Sequence, residues 1–477
     1  MIKKIFSFIT LAALTITVGC TWEKPEPEKI ATCYPADVEA IIVNKCATAG
    51  CHNALSKAGA GGLNMETWAT LFEGGNLGSS VIPYRPDYST LLYYTNTDTA
   101  QGLVLQPTMP YNANPLSNSE YETLRNWIIN GAPDCNGTVW RSDYATRKKV
   151  YVTNQGCDVV SVFDAQTKLV MRMKDVGKIA AIESPHSVKV APNNQFWCVS
   201  FIGGSYFQKF STADNSLLGE VNIGLGSWNT FAISPDSKKA YTVDLSLGKI
   251  VEINLLSMTK TPVPNLLVGS PHGTWLNETG DTLFITNQGG GNIWKAPTND
   301  LSNQIPISFP GYGSSKFHEI VFSPNKNFYY LTDDFNHQIL VVNANNNSVV
   351  AQIPVGTFPQ EMAISTTKPY LFVTCVEDLT TFPGKRGSVY VIDYNTNTVV
   401  RSIYTGHQPH GIALDDANGL VFVANRNNTT GGPAPHHSSV CGGQNGSVVA
   451  IDLNTLNLVP GFSSEVSVDP YGVGVMY

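Results

Sequence analysis

The chain has 477 residues, enough for more than one domain. Only 14% of them are charged, against about a quarter in an average globular protein, and the net charge is −7. That balance argues against nucleic acid as a partner.

Lys3 and Lys4 form a short basic start, followed by the apolar run "IFSFITLAALTITVG", which is short for a membrane span. The run ends "TVGC" at Cys20. This resembles the lipobox of bacterial lipoproteins, with Thr17 where leucine is commoner. The resemblance implies a signal peptide over 1–20, lipidation of Cys20, and an address in the bacterial cell envelope, periplasmic or cell-surface. The alternative is an ordinary signal peptide cleaved elsewhere. "TWEKPEPEK" then reads as a proline-stiffened tether within 21–32. The lipid is the expected membrane attachment, because no later apolar run is long enough to span. The eight cysteines beyond Cys20 should be oxidised or ligated in such a compartment.

From residue 33 to about 140 the pattern is helical. "YPADVEAIIVNK" places Val38, Ile41 and Ile42 on one face, leading into "CATAGCH". "PDYSTLLYYTN" suggests a second helix. "LSNSEYETLRNWIINGAP" predicts a third, with a capping box Ser119-x-x-Glu122, an apolar face of Tyr121, Leu124, Trp127 and Ile128, and Gly131 as its stop. Before it lies "LQPTMPYNANP", a loop presenting Met109.

Two cysteines followed directly by histidine, then a distant "MP" loop and a helix ending "W-I-I-N-G-A", resemble the cytochrome c domains over residues 33–135. The resemblance implies haem c, attached through Cys46 and Cys51, with His52 and Met109 as axial ligands of the iron. The departure is the four-residue gap between the cysteines, where two is usual; "ATAG" is small enough to bulge. The alternative is a Cys46–Cys51 disulfide with His52 as a surface residue. Cys33 and Cys135 bracket the segment, where a disulfide would staple its ends.

After residue 145 the hydrophobic period changes from 3.6 to 2 and the sequence repeats. "SPHSVKVAPNNQFWCVS", "GSPHGTWLNETGDTLFIT" and "HQPHGIALDDANGLVFVA" each give a strand, a polar turn and a second strand. Two further strands follow each unit, at a spacing of about forty to fifty residues, the mark of a β-propeller. The region opens lacking a first strand and closes on "DPYGVGVMY", a first strand with nothing after it. The end should therefore complete the beginning and make seven blades. "YVTN" at 151–154, echoed by "FITN" and "FVTC", resembles the YVTN family of propellers over 148–477. The expected fold is thus multidomain: a small all-α cytochrome c domain followed by an all-β seven-bladed propeller.

Aligned repeats place His186, Asn229, His272, His318, Gln360, His410 and Tyr471 at one point of each innermost strand. A long insertion, "NRNNTTGGPAPHHSSVCGGQNG", carries His436, His437 and Cys441 and is expected to open on the same mouth. His186, His272, His318, His410, His436 and His437 are therefore candidate ligands for copper or zinc. The arrangement is similar to nitrous oxide reductase, although three ring positions lack histidine and the second copper domain is missing. The alternatives are histidines that hydrogen-bond neighbouring blades, or a second haem or organic ligand in the mouth. Cys375 and Cys441, in mouth loops of adjacent repeats, are the expected propeller disulfide. Two functions follow. One is electron transfer with redox partner proteins, the propeller adding a redox metal or substrate site. The other is a propeller serving only as a binding platform.

Overall fold

The computed structural model describes residues 31–179, 181–263, 269–428 and 437–477. The signal peptide, Cys20, almost all of the tether, and His436 lie outside the described residues.

Strand-forming sequence begins at Lys149, and from there the chain builds seven four-stranded antiparallel sheets. The innermost strand of the first blade is the last strand of the chain. Pro470–Val475 pairs with Lys149–Asn154, with Val150 opposite Val475 and Tyr151 opposite Gly474. Closing the ring this way pairs the edge that Lys149–Asn154 would otherwise expose. Both Lys149–Asn154 and its neighbour Val159–Asp164 are buried along their whole length.

The "YVTN" repeat has a physical reason. The hydroxyl at its third position crosses to the next blade and donates to the backbone carbonyl of that blade's ring residue. Thr153 reaches the His186 carbonyl, Ser200 that of Asn229, Thr286 that of His318 and Thr374 that of His410. Where the fourth position is Asn or Asp it can hold the chain entering the inner strand: Asp244 accepts from the Ser227 amide, Asn287 from Ser270 and Asp333 from Lys316.

Residues 33–147 do not form the separate all-α domain expected of a multidomain chain. They carry α1 (Ala36–Ile41), α2 (Trp68–Leu71), α3 (Thr90–Thr95) and α4 (Asn118–Ile129), joined by long irregular loops. Helices this short are not stable alone and need an apolar partner. The partners are the other helices, α1 and α3 against α4, and the propeller. One buried cluster runs from Val38, Ile42, Leu124 and Trp127 into Tyr151, Val160 and Trp197, and a second joins Ile82 and Tyr88 to Val159 and Val170. Thr32–Tyr477 is accordingly one compact unit.

Polar contacts fix the seam. Arg85 donates to the Met173 carbonyl at 3.0 Å and pairs with Asp175 at 3.0 Å. The Glu465 amide donates to the Leu77 carbonyl, and Asn215 to the Tyr144 hydroxyl. Met173 and Asp175 lie on Val170–Asp175, and Glu465 on Leu458–Val468, the outermost strands of two adjoining blades. The helical segment is thus docked against the rim of the propeller.

One local expectation shifts. The capping box of α4 is Ser117 with Glu120, two residues before the predicted pair, because the helix starts at Asn118. Cys33 and Cys135 are joined by a disulfide.

Candidate functional site

The residues of "CATAGCH" are held by a compact turn. Cys46 ends a single π-helical turn, Ile42–Cys46. The chain then loops back, so that the His52 amide donates to the Cys46 carbonyl at 3.1 Å and the Cys51 amide to Thr48 at 3.0 Å. Gly50 takes φ +82°, a left-handed conformation in which a side chain would be strained. The longer gap between the cysteines is absorbed in this way.

Cys46 is buried, Cys51 is half-buried, and neither is in a disulfide. Burial pushes the Cys46 thiol up to about 12. His52 is half-buried. Burial lowers its pKa more than the carbonyls of Leu63 and Ala60 raise it, which favours the neutral imidazole, and its Nδ1 has no hydrogen-bond partner. Met109 is brought to the same place by its amide, which donates to the Tyr94 carbonyl at 2.7 Å.

Cys46, Cys51, His52 and Met109 all line one cavity of about 610 Å³, in the size range of cofactor sites. Its walls come from both parts of the chain. Leu63, Met65 and Leu91 contribute from the helical segment, and Val170, Met173 and Val466 from the outermost strands. The donor set and the largely apolar walls fit a haem: two unpaired thiols, a neutral imidazole with a free ring nitrogen, and a thioether.

His437 belongs here and not at the channel, which corrects the sequence expectation. Its Nε2 lies 2.6 Å from the Tyr94 hydroxyl and its Nδ1 2.8 Å from the Glu465 carboxylate, and it lines the same cavity. The hydrogen bond to Glu465 raises its pKa. Two anchors carry the loop outward: Glu465 on an outermost strand, and a disulfide from Cys441 to Cys157. That bond also overturns the expected Cys375–Cys441 pair. Cys375 is a buried free thiol at the end of its strand, and its expected partner, Cys441, is already engaged with Cys157.

The histidines of the inner strands do converge. Each innermost strand carries a β-bulge at the ring residue, between Pro185 and Ser187, Pro271 and Thr274, Phe317 and Ile320, and Pro409 and Ile412, for example. A bulge re-aims one side chain without breaking the strand, and here it is repeated in all seven blades. The imidazoles pack together as a result. Ring centres of His272 and His318 are 3.6 Å apart, His318 and His410 5.8 Å, and His186 and His272 6.0 Å, while Tyr471 lies 3.5 Å from His410 and 4.1 Å from His186.

Burial pushes all four imidazoles down, His318 to about 3, so they are neutral at ordinary pH. Their hydrogen bonding is uneven. His186 Nδ1 meets Gln155 at 2.6 Å, His318 Nδ1 meets Gln288 at 2.6 Å, and His272 Nδ1 faces the His318 carbonyl at 3.1 Å. Among the described residues, His410 has no hydrogen-bond partner on either nitrogen, and His186 and His318 have none on Nε2.

Sequence reasoning missed the acids beside this ring. Glu319 and Glu361 follow the ring residues His318 and Gln360; burial raises both carboxyls, repulsion from Glu361 adds to the rise at Glu319, and Lys189 and the hydrogen bond with Glu319 oppose it at Glu361. Glu361 comes within 3.4 Å of His318 Nε2. One ligand atom each from His318, Glu361 and His410 fall within 4.8 Å of one another. The missed signals were readable: a Glu directly after two ring positions, and the repeated "TNQ" that supplies Gln155 and Gln288.

The two sites are separate. The cavity lies at outermost strands and the histidines on innermost ones, about 15 Å apart at the usual strand spacing across a blade.

No protein-family model matches the chain, and no curated protein matches it. Among solved structures it is similar to a protein of unknown function from Desulfotomaculum acetoxidans, at 12% identity and TM-score 0.51, over 69% of this chain and 99% of that one. It is also similar to apo AztD from Citrobacter koseri, at 10% identity and TM-score 0.50, over 69% and 98%. Hydrazine synthase from Kuenenia stuttgartiensis aligns at 15% identity and TM-score 0.49, over 62% and 93%. At such identities the first two likenesses show the propeller fold alone.

Proposed function

We propose that the chain is an exported, lipid-anchored c-type cytochrome that carries electrons to or from redox partner proteins in the bacterial cell envelope. One observation carries this reading: Cys46, Cys51, His52 and Met109, spread over more than sixty residues of sequence, line a single cavity of cofactor size.

A haem there would supply one-electron exchange at its iron. The chain's own residues would do the rest. Cys46 and Cys51 present free thiols for thioether attachment. His52, neutral under burial, offers a ring nitrogen, and Met109 offers a thioether, a ligand that raises reduction potentials. The apolar walls from both the helical segment and the outermost strands would exclude water and push the potential the same way. In this reading the propeller supplies one wall of the haem pocket.

The test is maturation of the protein in a host that attaches c-type haem. The purified chain should keep its haem under denaturing electrophoresis and give a c-type haemochrome spectrum. Cys51→Ser should weaken or abolish attachment, and Met109→Ala should lower the potential and open the sixth position. A colourless chain from a competent host ends the reading and leaves the propeller as a binding platform.

A further inference from the structure

We infer that the propeller channel is a site for a divalent first-row transition metal, held by His318, His410 and Glu361. The inference stands apart from the haem reading, because it uses other residues in another part of the molecule.

The strongest observation is His410. It is 1% exposed and neither ring nitrogen has a hydrogen-bond partner among the described residues. A neutral imidazole always carries one N–H and one lone pair, and burying both unmet is unfavourable. A ring that served only to tie blades together would be satisfied, as His272 is by the His318 carbonyl. His318 repeats the pattern at one nitrogen: Nδ1 has Gln288, while Nε2 makes no hydrogen bond among the described residues and faces the Glu361 carboxylate at 3.4 Å. Beside these two open imidazoles stands Glu361.

Backbone geometry makes the set rigid. His318 and His410 sit at bulges of different blades, and Glu361 follows the bulged position Gln360 in the blade between them. Ligands fixed by three separate sheets need little ordering when a metal arrives. Gln288 can orient His318 as a supporting partner does in many metal sites. The amide nitrogen of Gln288 faces Nδ1 at 2.6 Å; a half-turn of that amide puts its oxygen toward Nδ1–H and leaves the Nε2 lone pair free for a metal.

Two imidazoles and one carboxylate without thiolate suit zinc, iron(II) or copper(II), and leave coordination positions open for water or a small ligand. This set is narrower than the ring expected from sequence. His272 points its Nδ1 at a carbonyl, and His437 is at the haem cavity.

The test uses full-length protein, stripped with a chelator and then offered ZnCl2 or CoCl2. We expect about one equivalent of either metal per chain after desalting, a thermal midpoint raised by several degrees, and d–d absorption from bound cobalt. His410→Ala and Glu361→Gln should each bind at least tenfold more weakly while keeping the strand circular dichroism of the parent. His437→Ala should bind normally. Two results overturn the inference: stripped wild-type protein that retains less than a fifth of an equivalent, or a folded Glu361→Gln chain that binds as the parent does. If only His410→Ala fails to fold, Glu361→Gln decides. Haem content measured on the same samples keeps the two readings distinct, since metal binding survives in a chain that carries no haem.

Discussion

The Thr374 hydroxyl donates to the His410 carbonyl across a blade boundary at 2.9 Å, and itself accepts from the Glu361 amide at 3.1 Å. One small side chain therefore satisfies two buried backbone groups and joins two strands that carry channel residues. Thr374→Val keeps the shape and removes both bonds. Leaving those groups unmet should cost about 1–3 kcal/mol, read as a lower urea midpoint at unchanged slope. Thr374→Ser should recover most of the loss. Equal stability of the valine variant and the parent would mean the motif's threonine is not an inter-blade tie.

This tie also marks how far the sequence could be read. Period-2 alternation, the spacing of repeats and the incomplete ends gave seven blades and ring closure, because each is a local pattern that the closed sheet must satisfy. The ring positions were legible for the same reason: rotational symmetry brings one point of each repeat to one place. What failed was everything set by docking. Composition and spacing suggested a self-contained helical domain, yet Ile82 and Tyr88 turn out to bury against propeller strands. The insertion bearing His437 and Cys441 was expected over the channel. Its anchors, Cys157 and Glu465, are distant in sequence and carry no local signal of their role. Glu361 went unnoticed because Gln360, and not Glu361, occupies the repeated position.

Asp378 offers a pH test. Its carboxylate accepts from the Ser388 hydroxyl at 2.6 Å and from the amides of Thr380 and Thr381, closing the loop after Tyr370–Cys375. Burial alone would raise its pKa, but these hydrogen bonds outweigh it and hold the group down at about 2. A folded pKa below the unfolded value stabilises the fold above the ordinary carboxylate range, about 3.9. That stability is lost as pH falls through the folded pKa. Asp378→Asn should therefore be less stable than the parent near neutrality, by about 2 kcal/mol. The gap should narrow below about pH 4 and close near pH 2. A gap that does not change over that range would show that the charge plays no part.

The C-terminal strand is a structural closure. Pro470–Val475 is the inner strand of the first blade, and Gly472 passes so close to the His186 carbonyl that an added Cβ would lie 2.5 Å from it. Tyr471 also fills the space between His186 and His410. Deleting 470–477 should expose the edge of Lys149–Asn154 and open the channel, giving aggregation or a large fall in thermal midpoint. A truncated chain that melts with the full-length protein would reassign the closure.

The last prediction concerns the unit of folding. An independent cytochrome would fold from residues 32–147 alone, stapled by Cys33–Cys135. The packing argues otherwise. The apolar face that includes Val38, Ile42, Leu124 and Trp127 shares one cluster with Tyr151, Val160 and Trp197, so cutting at residue 147 removes eleven of its thirty buried residues. Ile82 and Tyr88 lose their neighbours as well, and Arg85 loses both Asp175 and the Met173 carbonyl. Three helices of four to six residues and one of twelve cannot make up the difference. The fragment with its disulfide formed should thus melt without a cooperative transition and be cut by protease within the α2–α3 region. The same peptide bonds should resist in the full chain. In the full chain, Arg85→Ala should increase cutting there while leaving the propeller's strand signal unchanged. A fragment that melts cooperatively, with amides of α4 protected from exchange, would restore the helical segment as a domain in its own right.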